Sequence, residues 1–93
     1  MGVTFPITVG TSVDSSFGYD HDRTVIAVYN NSSSAVIYYG FNLLLTTSNG
    51  FPIPPKTGVA FARANGDDPR NSLYLISDTV GTDVRVSVDY GGA

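Results

Sequence analysis

The stretch VRVSVDY, Val84–Tyr90, decides how this chain folds. Val84, Val86, Val88 and Tyr90 fall on one side of an extended chain, and Arg85, Ser87 and Asp89 on the other. Side chains of a strand alternate between its two faces, so this is a strand with one face buried and one wet. Before it, SLYLISD (Ser72–Asp78) reads as another strand, and the Gly- and Asp-containing TVGTD between them predicts a hairpin. A second hairpin is predicted from RTVIAVYN (Arg23–Asn30), the polar turn NSSS and SAVIYYG (Ser34–Gly40). These two strands are nearly continuous in Val, Ile, Ala and Tyr. Such strands are covered on both faces, by a second sheet or by another subunit.

The rest of the chain shows the same pattern. NLLLTTS (Asn42–Ser48) predicts a third strand or an irregular edge, and GVAFAR (Gly58–Arg63) a fourth, with Val59 and Phe61 on one face. ANGDDPRN (Ala64–Asn71) is dense in turn formers and predicts an exposed loop in which Asp67 and Asp68 open a turn ahead of Pro69. VTFPITV suits an edge strand, because Pro6 has no N–H for a central ladder. The polar GTSVDSSFGYDHD after it reads as a linker or arm. The expected organisation is an N-terminal arm or edge strand over residues 1–22 and a β-sandwich domain over 23–93. Six or seven short strands and no helical stretch predict an all-β fold: a small antiparallel β-sandwich, jelly-roll-like, or a compact β-barrel.

Composition narrows the function classes. At 93 residues the chain is one domain, 42% hydrophobic and only 14% charged. Its acidic residues are eight Asp and no Glu, which favours turns over helices. The five basic residues, Arg23, Lys56, Arg63, Arg70 and Arg85, are scattered and the net charge is −3. Phosphate backbones are bound by clustered cations, so no nucleic-acid partner is expected. No apolar run reaches the roughly 18 residues of a membrane span. The first residues lack the basic start and apolar core of a signal peptide, and cysteine is absent, so the expectation is assembly in a reducing cytoplasm.

Catalytic chemistry finds little purchase. His21 is the one histidine, and its neighbours Asp20 and Asp22 would point away from it on an extended chain. The Asp residues show none of the regular spacing of a Ca²⁺ loop. Asp78, Asp83 and Asp89 do not converge as a glycosidase pair would. No enzyme activity, cofactor or metal is expected. The tyrosines offer a binding platform instead: Tyr38 and Tyr39 lie on opposite faces of one strand, and with Tyr29 and Tyr74 they could stack on sugars or pack against a subunit. The sequons at Asn30 and Asn31 matter only in a secreted protein.

Between two strands lies TTSNGFPIPPKTG, Thr46–Gly58, a stiff segment that carries Phe51 and Ile53 among prolines. Proline restricts its neighbours to extended conformations, so little entropy is lost when these side chains pack. The segment could close an open end of the sandwich, or present Phe51 and Ile53 to a neighbouring subunit as preordered anchors. The candidate interface residues are Phe51, Pro52, Ile53, Tyr38 and Tyr39, with Phe5 and Ile7 of the first strand.

The run from Thr24 through Phe61, with LYLISDTVGTDVRVSVDY after it, resembles small phage virion proteins of the head-decoration (cement) type. In these a strand ending in YN precedes a Ser/Thr-rich turn and a strand ending in Y-x-G. A TTSNG-[FI]-P-[IL]-P segment comes next, then an LY-x-I strand and a GT-x-VRV strand. The likeness covers Arg23 to Tyr90; the first 22 residues have no counterpart in it. It implies a structural virion protein that bridges capsomers, with the major capsid protein as partner, a trimeric or dimeric state and no cofactor. A tail or host-surface carbohydrate-binding module is the alternative carried by the tyrosines.

Overall fold

The alternation of Thr82–Tyr90 translates directly into burial. Val84 and Val86 are fully enclosed and Val88 nearly so, while Arg85, Ser87 and Asp89 face solvent. The computed structural model describes residues 2–13 and 15–90. Its strands are β1 Gly2–Val9, β2 Ser15–Phe17, β3 Arg23–Asn30, β4 Ile37–Gly40, β5 Phe51–Ile53, β6 Gly58–Ala62, β7 Leu73–Ser77 and β8 Thr82–Tyr90. A 3₁₀ turn, Arg63–Asn65, comes after β6.

The strands form two four-stranded antiparallel sheets, ordered β1-β8-β3-β6 and β2-β7-β4-β5. The two orders run in step: β1 and β2, β8 and β7, β3 and β4, β6 and β5 occupy matching places. This is the jelly-roll arrangement of an all-β sandwich. The core between the sheets holds Val9, Ile26, Val28, Ile37, Ile53, Leu73, Leu75, Val84, Val86 and Val88.

Both predicted hairpins are corrected. The polar turn after β3 carries the chain to β4 in the opposite sheet, and the Gly81 turn after β7 carries it back to β8. Each connection is an arch over the core. The arches, with those of β1–β2 and β5–β6, lie side by side at one end of the sandwich and bond to one another. The Ser77 amide donates to Gly10 O, Asp78 to Val36 O, Asn31 to Asp83 O, and Lys56 to Asn30 O, at 2.9–3.2 Å. A turn that would leave backbone groups unpaired in isolation is satisfied by its neighbour. Buried Asn30 completes the corner: its Nδ2 donates to Ala35 O and Ile53 O, and its Oδ1 accepts from the Ser32 amide.

Residues 1–22 join both sheets. β1 pairs with β8 from Gly2↔Asp89 to Val9↔Thr82 and forms the sheet edge, where Pro6 costs no ladder bond. β2 pairs with β7, and Val9 belongs to the core. Met1, Asp14 and residues 91–93, which fall in the expected arm and sandwich segments, lie outside the described residues.

Asn42–Ser48, expected as a strand or irregular edge, is a looped excursion between β4 and β5. Its own side chains take the backbone groups a ladder would need. Asn42 Oδ1 accepts from the Leu44 amide, Asn49 Oδ1 from the Thr46 amide, and Asn49 Nδ2 donates to Leu44 O. Part of the Pro-rich segment is instead a strand, with Ile53 opposite Ile37 and Phe51 opposite Tyr39.

Candidate functional site: an apolar end of the sandwich

The end opposite the arches is built by the loops 18–22, 41–50 and 63–72. There four rings gather, from β4 and the loop after it, β5 and β6. Tyr39 of β4 stacks on Phe51 of β5 with centroids 5.4 Å apart and planes at 27°. Phe61 of β6, in the other sheet, meets Tyr39 edge-on at 5.4 Å. Phe41 meets Phe61 edge-on at 5.7 Å and Tyr39 at 6.0 Å. Edge-to-face and offset pairs of this kind contribute about 0.5–1.5 kcal/mol each beyond area burial.

The loop that carries Phe41 is fixed by Leu45. This side chain is buried against Gly40 and Gly50, and a Cβ added at Gly50 would lie 2.6 Å from Leu45 Cδ1 and 2.8 Å from Tyr38 Cβ. The glycines make room for Leu45, and Leu45 in turn leaves its neighbours outside. Leu43 is 67% exposed, Leu44 78%, Phe51 61% and Phe41 50%. A cleft of about 290 Å³ lies between Tyr39, Phe41, Leu45, Asn49 and Phe51. Scattered exposed apolar residues are ordinary, but four large ones gathered at one end are a patch of the kind that marks contact surfaces.

The candidate interface residues divide. Phe51 and Pro52 are exposed at this end. Ile53, grouped with them in the sequence, is fully buried in the core. Phe51 stacks one ring face on Tyr39 and is 61% exposed. Phe5 and Ile7 are half-buried and pack on the core from the edge strand, Phe5 with its ring 6.4 Å from Phe17. Tyr39 turns inward to the ring cluster, whereas Tyr38 lies on the outer face of its sheet, one diagonal step from Tyr74. Tyr29 is on the other sheet, so the four tyrosines share no platform. Sequence reading missed Phe41, Leu43 and Leu44 because it placed them in or beside a strand. The signal was present in the Asn and Thr residues at 42, 46, 47 and 49, which compete for backbone bonds.

At the same end, Arg23 is buried and, among the described residues, its hydrogen bonds go to backbone carbonyls. Its Nε donates to Pro69 O at 2.6 Å, and its Nη2 to Asn71 O at 2.9 Å and Gly18 O at 3.1 Å, with Arg70 O at 3.5 Å. One side chain thus clamps two loops to the start of β3. Polar groups elsewhere are committed to structure. Asp67 Oδ2 accepts from the Ala62 amide, and Asp68 binds both the amide and guanidinium of Arg70. The Arg70 hydrogen bond holds the Asp68 carboxyl below its ordinary pKa. Asp83 is lowered likewise, chiefly by Arg85 and next by Asn31. The expectation that Asp22 points away from His21 is corrected: the two lie in a turn, not a strand, and His21 Nδ1 is 3.1 Å from the exposed Asp22 carboxylate. Among the described residues no group of three or more His, Asp or Glu could hold a metal ion, and no helix is long and apolar enough to cross a membrane.

No family model and no curated protein matches the sequence. The fold is similar to a chain from a solved structure described as "Bacillus endospore appendages form a novel family of disulfide-linked pili". The TM-score is 0.53 at 9% identity, over 100% of this chain and 87% of that one. At that identity the likeness bears on the fold alone.

Proposed function

We propose that this protein is a structural subunit of a phage particle, of the head-decoration type, and that it bridges capsid proteins through its apolar end. The observation that carries this reading is the exposed group of Phe41, Leu43, Leu44 and Phe51. These side chains are held in place before any partner arrives, Phe51 by its stack on Tyr39 and the leucines by the Asn-bonded loop. Preordered apolar anchors lose little entropy on docking. The test is quantitative mass spectrometry of purified particles against the major capsid protein, with wild type and the double variant Leu44→Ser/Phe51→Ser. A ratio near unity or a simple fraction of it, lost in the variant, supports a lattice-wide decoration role. Absence of the wild-type protein from particles refutes the virion reading.

A second reading is a subunit of a surface filament, favoured by the fold likeness to a pilus protein. That protein's pili are described as disulfide-linked; this chain has no cysteine, so its copies would be held without covalent bonds. Fibres of the purified protein in negative-stain electron microscopy would favour it over the decoration role.

A further inference from the structure

We infer that the outer edge of β6 pairs with β6 of a second copy of this chain and joins two β1-β8-β3-β6 sheets into one. The two open sheets have four edge strands, β1, β6, β2 and β5. An edge presents unpaired backbone groups to other strands, and proteins close their edges with proline, with short strands or with covering loops. Three of the four are closed in this way. β1 carries Pro6, β5 has Pro52 at its centre, and β2 is three residues long. β6, Gly58–Ala62, has five residues with neither proline nor charge.

The bonds around β6 show which of its groups are open. The Asn30 amide donates to Thr57 O at 2.8 Å, so Thr57 is turned towards β3. Hydrogen-bonding direction alternates along a strand. Val59 and Phe61 therefore bond β3, while Gly58, Ala60 and Ala62 turn their N–H and C=O outward. Ala62 fits this alternation and is already taken. Its amide donates to Asp67 Oδ2 at 3.2 Å, and its carbonyl accepts from the Asp67 amide at 3.3 Å. The outward groups of Gly58 and Ala60 have no such partner among the described residues. What they fit is an extended backbone with the same alternation of donor and acceptor.

The length of this opening selects the occupant. Asp67 covers Ala62, and at the other end the chain turns away at Lys56, whose φ is 57°. Only Gly58 and Ala60 remain, and β6 of a second copy offers the same two residues. An antiparallel copy about a twofold axis at Val59 sets Gly58 against the partner's Ala60 and Ala60 against the partner's Gly58. Each pair exchanges two N–H···O bonds, so every open group on both strands is used. An axis at Gly58 or at Ala60 makes one such pair, because the next outward residue is then Lys56, whose amide is given to Asn30 O, or the covered Ala62. The favoured register also leaves Asp67 in place, since the partner's strand has turned off at Lys56 where it comes level with Ala62. On the outer face only Gly and Ala side chains meet. On the inner side Val59, half-buried against the core, lies across the axis from the partner's Val59, at the ~4.5 Å Cα spacing of a non-hydrogen-bonded pair. The two copies exchange roles across the axis, as a twofold contact requires.

Size sets the strength. Five residues at ~3.4 Å along the strand, and two sheets ~10 Å apart with their outer side chains, give a footprint of roughly 350 Å² per copy. That is the size of a weak contact, and a Kd on the order of 0.1 mM is expected.

The test is sedimentation of the full chain from roughly 10 µM to 1 mM, with amide hydrogen exchange read by NMR over the same range. The expected result is a reversible monomer–dimer equilibrium. In it the Gly58 and Ala60 amides exchange about fivefold more slowly at the highest concentration, and the Ala62 amide is unchanged. Ala60→Pro removes an outward N–H and no bond to β3, so it should weaken the dimer about 10-fold or more while melting confirms the fold. If that variant does not fold, Ala60→Lys decides, because it sets two like charges at diagonal positions ~7–8 Å apart across the axis and should weaken the dimer about threefold. A wild type that stays monomeric at the highest concentration overturns the proposal. So does a dimer whose Gly58 and Ala60 amides exchange as in the monomer, or one that both substitutions leave unchanged. A dimer abolished by Leu44→Ser also overturns it, since the contact would then lie at the apolar end.

Discussion

Replacing Arg23 by Met should lower the stability of the folded chain by about 2–4 kcal/mol, through two opposed terms. Met removes a buried guanidinium bonded to backbone carbonyls, and so recovers part of a desolvation cost. Against that, it strips the carbonyls of Pro69, Asn71 and Gly18 of donors at 2.6–3.1 Å. Each acceptor left unsatisfied in a buried site costs about 1–3 kcal/mol. The Pro69 bond is buried and carries its full weight, whereas those from Nη2 are partly buried and water replaces some of their value. The loss of donors outweighs the recovered desolvation. For a domain of this size the melting temperature should fall by roughly 10–25 °C. Arg23→Lys keeps the charge but not the planar fork that reaches two loops, so it should recover only a minor part. The assay is thermal and urea unfolding of the three proteins, with hydrogen exchange at the amides around Pro69–Asn71. Arg23→Met within about 0.5 kcal/mol of wild type, the range of an ordinary surface substitution, would refute the clamp. So would Arg23→Lys equal to wild type.

Other expectations rest on the same geometry. Asn30→Ala leaves the Ala35 and Ile53 carbonyls without their donor in a fully buried corner and should cost about 2–4 kcal/mol by urea unfolding. Gly50→Ala puts a methyl 2.6 Å from Leu45 Cδ1 and 2.8 Å from Tyr38 Cβ, so it should cost about 1–3 kcal/mol by overpacking. Gly50→Ala/Leu45→Ala should cost less than the sum of the singles if the clash with Leu45 is the cause. Asp68 and Asp83 have folded-state pKa values below their ordinary 3.8. Their ion pairs therefore add stability above that pH and lose it as the pH falls through the lowered values. Both pairs are exposed, so the effect is small. An acid unfolding series comparing wild type with Arg70→Gln/Arg85→Gln should show a shallower loss below about pH 4 in the variant.

That this chain is a sandwich of β-strands is written in its local pattern. Alternation at Val84, Val86 and Val88 states which face is buried, because the period of a strand is a local property of the chain. Pro6 and its position on an edge strand were legible for the same reason. The path of the chain between strands was not. The turns at 31–36 and 78–81 have the composition of hairpin turns, yet they cross between sheets. Whether a turn returns to its own sheet or arches over the core depends on partners such as Gly10, Val36 and Asp83, which are distant in the chain. Arg23 reads as one of five scattered surface charges, and only the approach of residues 69–71 makes it a buried clamp. The apolar end obeys the same rule. Phe51 stood out because prolines surround it, but its stack with Tyr39 and the gathering of Phe41 and Phe61 belong to the folded chain alone. Leu43 and Leu44 have the side chains of core residues. They lie outside because Leu45 takes the one space that Gly40 and Gly50 leave open, a choice made by packing.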